Sequence, residues 1–197
     1  MSDDANVWQP RTTGRPEAGQ ILYSDNTQTE IVNTAAETVL ANVTIPAGTV
    51  APDDKLLLTV LGSYLNNDAN GRTFGWGLLL NAAGAIIVSV FPTIAGVNTS
   101  VNRRLVKFEA AINITSLVSQ SASYRNELGG AYLPLNWGTI VGTPNGELSP
   151  GESPPLVENL AIASTLRLSF KHAVANANLS FISKSIVLER LPKGSFT

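Results

Sequence analysis

Two stretches of this chain alternate strictly between apolar and polar residues, and that alternation limits the fold more than any other feature. In Leu105 to Ser116, Val106, Phe108, Ala110, Ile112 and Ile114 fall on one side, with Lys107, Glu109, Asn113 and Thr115 on the other. In Leu160 to Lys171, Leu160, Ile162, Ser164, Leu166, Leu168 and Phe170 oppose Ala161, Ala163, Thr165, Arg167, Ser169 and Lys171. Successive side chains of a strand point to opposite faces. Period two over ten or more residues therefore predicts long antiparallel strands with one face buried.

The rest of the chain is compatible with that reading. Thr29 to Asn33, Thr38 to Ile45, Lys55 to Asn66, Thr73 to Asn81, Gly84 to Phe91 and Leu179 to Leu191 read as further strands. Trp76 shares a face with Phe74, Leu78 and Leu80 and is expected in the core. Pro46 and Gly48 end one strand, and Pro52-Asp53-Asp54 launches the next, which makes a corner of a sandwich. Asn70-Gly71 carries the chemistry of a type I′ hairpin turn. No stretch shows a sustained helical period. About eight main strands, with turn signals between them, predict an all-β antiparallel β-sandwich of the jelly-roll kind.

Two segments do not read as strands. Residues 1–27 carry Pro10, Gly14, Pro16 and Gly19 around a lone large apolar residue, Trp8. They are expected to form an extended N-terminal arm ahead of a domain spanning 28–197. Such an arm buries too little of itself to offset its ordering entropy, so it is expected to dock on a partner or a sister subunit. Trp8 would be the anchor, with Arg11 and Arg15 as polar contacts. The second segment is the Gly/Pro-rich loop at 142–155, which follows a candidate strand over Tyr132 to Val141. Long loops are often functional. Tyr132 and Trp137 beside it are candidate contacts for a sugar or a protein; Tyr132 is equally readable as a core residue, and for Trp137 the core is the preferred reading.

The 197 residues hold no Cys and a single His, and charged residues make up 14%. Disulfides and thiolate metal sites are therefore out of the question. The net charge of −2, with Arg103-Arg104 as the only adjacent basic pair, offers nothing for nucleic acid. No apolar run is long enough for a membrane-spanning helix. His172 sits at the end of a strand in register with Phe170 and has no second His to help it, so a structural role is expected. No Gly-x-Ser-x-Gly elbow, phosphate loop or dinucleotide fingerprint occurs. Glu127, Glu147, Glu152 and Glu158 could supply paired acids, but they read as loop charge. Asp68-Ala-Asn70 could ligate Ca²⁺ weakly, but a turn explains the same residues. The expectation is a non-enzymatic protein with no cofactor and no metal.

One stretch is familiar as a whole. NTAAETVLANVTIPAGTVAPDDKLLLTVLGSYLNNDANGRTFGWGLLLNAAG resembles a recurrent jelly-roll module of tailed-phage virion proteins. That module has the outline N-T-x-x-E-T-x-L-A-x-x-T-I-P-A-G, then a strand, a polar Gly turn and a second strand. RRLVKFEAAINITSL and LRLSFKHAVANANLSFISKSIVLERL are similar to its later parts, so the likeness runs over about residues 29–191. It is specific at the T-I-P-A-G corner. Asp53-Asp54 stands where Gly-Asp is frequent, and 129–155 looks like an insertion. The resemblance implies a trimeric virion structural protein, made in the host cytoplasm and carried on the particle. Two roles follow. One is a capsid decoration (cement) protein bound to the major capsid protein or another virion protein. The alternative is a receptor- or glycan-binding tip of a tail or head fibre. The short chain without coiled-coil heptads favours decoration.

Overall fold

The computed structural model describes residues 19–68, 70, 72, 74–81, 85–89, 100–128, 131–132 and 157–193. These form eleven strands: β1 (Gln20–Asp25), β2 (Thr29–Val32), β3 (Thr38–Ile45), β4 (Lys55–Asn66), β5 (Phe74–Leu80), β6 (Ala85–Ser89), β7 (Ser100–Ser116), β8 (Ser119–Leu128), β9 (Ala131–Tyr132), β10 (Ser164–His172) and β11 (Leu179–Leu191). A seven-stranded sheet runs β1-β11-β4-β7-β8-β9, with β2 beside β1 on the same edge of β11. A four-stranded sheet runs β3-β10-β5-β6. Every pairing is antiparallel.

The connectivity is that of a jelly roll. With β1, β8 and β9 set aside, eight strands remain, and their pairings nest: β2 with β11, β3 with β10, β4 with β7, β5 with β6. This is one long hairpin rolled over on itself. The contacts β11·β4 and β10·β5 then knit the roll into two sheets. The expected eight strands are all present. β1 widens the large sheet at one edge, while β8 and β9 widen it at the other.

Alternation predicts the core well. Leu56, Leu58 and Val60 on β4 and Val106, Phe108, Ala110, Ile112 and Ile114 on β7 are buried against Phe74, Trp76, Leu78 and Leu80 on β5. Trp76 lies at the centre of an aromatic cluster that joins the sheets. It stacks on Phe108 at 4.8 Å between centroids and meets Phe170 and Phe181 edge-on at 5.1 and 5.3 Å. Phe170 stacks on Phe181 at 4.2 Å. Such pairs add roughly 0.5–1.5 kcal/mol each beyond area burial.

The corner after β3 crosses between the sheets, as expected. The Thr49 amide donates to the Pro46 carbonyl at 3.1 Å. Further along, the Asp53 amide donates to Ile114 O at 2.6 Å, and the Ile114 amide donates to Asp54 O at 2.9 Å. Asp53 holds φ +67°, a left-handed value that Asp tolerates better than most residues.

Four details differ from the sequence reading. β4 and β5 do not form a hairpin, because both edges of β4 are taken by β11 and β7; the chain through Asn70 crosses to the other sheet. Residues 20–25, read as part of the arm, are strand β1, paired with β11 from Gln20↔Arg190 to Asp25↔Ile186. Leu160 to Ala163 is a turn that precedes β10: Leu160 is buried, but Ile162 is 58% exposed. Finally, β8 was not foreseen. Its inward positions include Gln120, Ala122 and Asn126, which are polar or small and hide the period.

Candidate functional site

The outer face of the four-stranded sheet carries the polar side chains best organised to meet something. Its rows follow from register. Arg167 on β10 lies between Asn42 on β3 and Leu79 on β5. One row along, Ser169 lies between Val39 and Gly77. In the other direction, Thr165 pairs with Thr44 and meets Asn81, the residue after β5. All of these project outward, because their chain neighbours Leu166, Leu168 and Phe170 fill the core.

Asn81 completes the sheet with its side chain. It holds φ +62°, its amide donates to Thr165 O at 2.7 Å, and its Oδ1 accepts from the Thr165 amide at 2.9 Å. Its Nδ2 donates to Glu158 Oε2 at 2.8 Å. Glu158 is held in turn by buried Gln120, which accepts from the Glu158 amide at 3.1 Å and donates to its carbonyl at 3.0 Å. Glu158, one of the acids considered for hydrolysis, is therefore a bracket between the turn ahead of β10 and the end of β5.

A second network covers Gly77. Ser169 Oγ donates to Glu37 Oε1 at 2.6 Å. Arg167 Nη2 stands 3.6 Å from the same oxygen, beyond hydrogen-bond range. A Cβ on residue 77 would fall on Ser169 Oγ and come within 3.3 Å of Glu37 Oε1, so only glycine lets Ser169 and Glu37 lie there. Arg167 Nε is buried and has no hydrogen-bond partner among the described residues. A desolvated donor left unmade costs about 1–3 kcal/mol.

Between these networks lies a depression of about 260 Å³, lined by Asn42, Leu79, Asn81, Thr165 and Arg167. A smaller one of about 40 Å³ is lined in part by Glu37, Gly77 and Ser169.

His172 is structural. It is buried, its Nε2 sits 3.0 Å from Ile31 O, and its ring packs 5.2 Å from Phe170 and 5.7 Å from Tyr64. Burial pushes its pKa below the usual value, opposed in part by the Ile31 contact. It points inward from β10, while Ser169 and Glu37 lie outside, so neither pairs with it. Asp68 pairs with Arg72, and Asn66 brackets the turn by accepting from the Asp68 amide and donating to Asn70 O. No group of three or more His, Asp or Glu among the described residues is placed to hold a metal.

The other proposed contacts are placed less fully. Trp8, Arg11, Arg15, Trp137 and the 142–155 loop lie outside the described residues. Tyr132 is the last residue of β9, where its backbone pairs with Glu127. The Asn42–Arg167–Leu79 row was missed. Its residues lie on three separate strands, and only the register brings them together.

No family model matches the chain, and no curated protein matches it. Among solved structures it is similar to the CBM2 module of Lactobacillus casei BL23 phage J-1 evolved Dit, at 8% identity and a TM-score of 0.40, over 87% of this chain and 96% of that one. It is also similar to lectin UEA-II complexed with galactose, at 10% identity and a TM-score of 0.39, over 83% and 86%. A third likeness is to infectious bursal disease virus Gx strain, at 12% identity and a TM-score of 0.33, over 93% of this chain but 45% of that one. Likenesses at this level do not reach function, which rests on the site and the resemblance read from the residues.

Proposed function

We propose that this chain is a non-enzymatic structural protein of a phage virion, and more narrowly a homotrimeric decoration protein bound to the capsid shell. The observation that carries this reading is the Thr44-Ile45-Pro46-Ala47-Gly48 corner. It is the most specific part of the resemblance to the phage module, and in this fold it turns the chain from one sheet of a jelly roll to the other. Oligomerisation is supported by the outer face of the large sheet. Leu61 and Leu105 lie on neighbouring strands there and are 37% and 56% exposed. Apolar side chains of this kind suit a sister subunit.

Attachment is assigned to the N-terminal segment, with Trp8 as anchor and Arg11 and Arg15 as polar contacts. Deleting residues 1–18 tests this while sparing β1. The truncated protein should fold, should sediment as the same trimer as the full chain, and should fail to decorate particles that lack the protein. Undiminished decoration would move attachment to the jelly-roll surface. A full-length monomer at high micromolar concentration, or full-length protein that locates to the tail and never to the shell, would overturn the decoration reading itself.

A further inference from the structure

We propose that the depression lined by Asn42, Leu79, Asn81, Thr165 and Arg167 is a binding site for a single neutral sugar ring. This goes beyond the assignment above and holds whether the protein sits on a shell or a fibre.

Size sets the first limit. About 260 Å³ falls just short of the ~300 Å³ at which pockets begin to hold drug-sized ligands, so the occupant is one ring and not a chain. Charge sets the second. Arg167 is the only cation in the lining, and Glu37 stands 3.6 Å from it. A second carboxylate, Glu158, is bonded to Asn81 at 2.8 Å. An anion would meet one cation and two carboxylates, so nothing draws it in; a neutral ligand faces no such conflict.

Hydrogen-bonding chemistry sets the third. Arg167 offers only donors, and its partly exposed guanidinium can present them to the depression. Asn42, exposed beside it on β3, offers both a donor and an acceptor, as does the Thr165 hydroxyl. Asn81 is already committed to Thr165 and Glu158, so it serves as a fixed wall. A hydroxyl both donates and accepts, so vicinal hydroxyls on one ring answer this mixture, whereas an ammonium, which only donates, or a ketone, which only accepts, does not. Leu79 lies next to Arg167 and gives the apolar C–H face of such a ring its floor. The residues sit on three hydrogen-bonded strands, so the site is already formed without a ligand.

The test is to titrate the full-length protein with methyl glycosides of glucose, galactose and mannose, following amide shifts by NMR. At least one should bind with a Kd on the order of millimolar. The shifts should centre on residues 42, 79 and 165–167. Arg167→Lys removes the planar fork and should weaken binding about tenfold. Asn42→Ala changes an exposed residue that the fold does not need, and should weaken binding several-fold with the far-UV spectrum unchanged. Failure of all three glycosides to bind would overturn the proposal, as would binding that both substitutions leave intact. Tighter binding of glucuronate than of glucose would overturn the charge argument and with it the neutral assignment.

Discussion

The most exacting test of this fold lies at the one fully buried ion pair among the described residues. Arg190, near the end of β11, is 4% exposed, and Asp54, just before β4, is 1% exposed. Arg190 Nε and Nη2 both reach Asp54 Oδ2, at 2.7 and 2.6 Å. The same oxygen accepts the Ala51 amide at 2.7 Å. Asp54 thus ties the inter-sheet corner to the last strand. Asp54→Ala would strand a buried guanidinium and free the Ala51 amide. Breaking a buried pair from one side costs about 3–5 kcal/mol, and an orphaned amide adds about 1–3 kcal/mol. Against a total stability of roughly 5–15 kcal/mol, the variant should be partly or wholly unfolded at 37 °C.

The double variant Asp54→Leu/Arg190→Met separates pairing from mere occupancy. It removes both charges and fills the space with apolar groups. Such replacements are often neutral and sometimes stabilising by about 1–4 kcal/mol. It should therefore recover most of the loss, less the amide that stays unpaired. Equilibrium urea unfolding reads both effects as shifts in midpoint at constant slope. If Asp54→Ala cost under 1 kcal/mol, or if the double variant were as unstable as the sum of the two single ones, the pair would not be what pins the corner.

Three further outcomes are expected. Ile112→Asp should unfold the domain, since Ile112 is 1% exposed in the middle of β7, whereas Asn113→Asp, one residue on, should cost well under 1 kcal/mol; thermal melts ranked the other way would refute the register. Gly62→Ala should cost about 1–3 kcal/mol, because the new methyl would come within 2.6 Å of both Ile182 O and the Phe181 ring; urea midpoints unchanged from the parent would show that the sheet there is slack. His172 has a folded-state pKa below the usual 6.5 because burial disfavours the charged form. The unfolded chain therefore takes up the proton first as pH falls. The contribution is fully present above pH 6.5 and is lost as pH drops toward the folded value. Glu30, held low first by the Ser180 hydroxyl and then by Arg103, acts only below 4.5, so stability lost between pH 6.5 and about 5 reports His172. His172→Gln should flatten that limb, and an unchanged slope would mean that some other group titrates.

How far the sequence reveals this protein depends on what faces inward. The bounds of β3, β4 and β11 were legible because most of their inward positions are aliphatic or aromatic, with Arg190 on β11 a buried exception. β8 breaks that code. Two of its inward positions, Gln120 and Asn126, are amides, and each has a partner far away in sequence. Asn126 Oδ1 accepts from Trp76 Nε1 at 3.3 Å, and Gln120 brackets Glu158. A local pattern cannot register a polar group whose partner is 38 or 50 positions away. The turn at Asn70 fails for a related reason. Turn chemistry reports that the chain bends, but which sheet it enters is decided by β7 and β11, the strands flanking β4, and both come later in the chain. The binding row is the extreme case. Asn42, Leu79 and Arg167 each look like ordinary solvent-facing residues, and nothing in their own neighbourhoods distinguishes them. The nesting of β3 on β10 and β10 on β5 puts them in one line. In a rolled hairpin, the core is therefore written locally, as alternation, while an outer-face site is written only in the register between strands far apart in sequence.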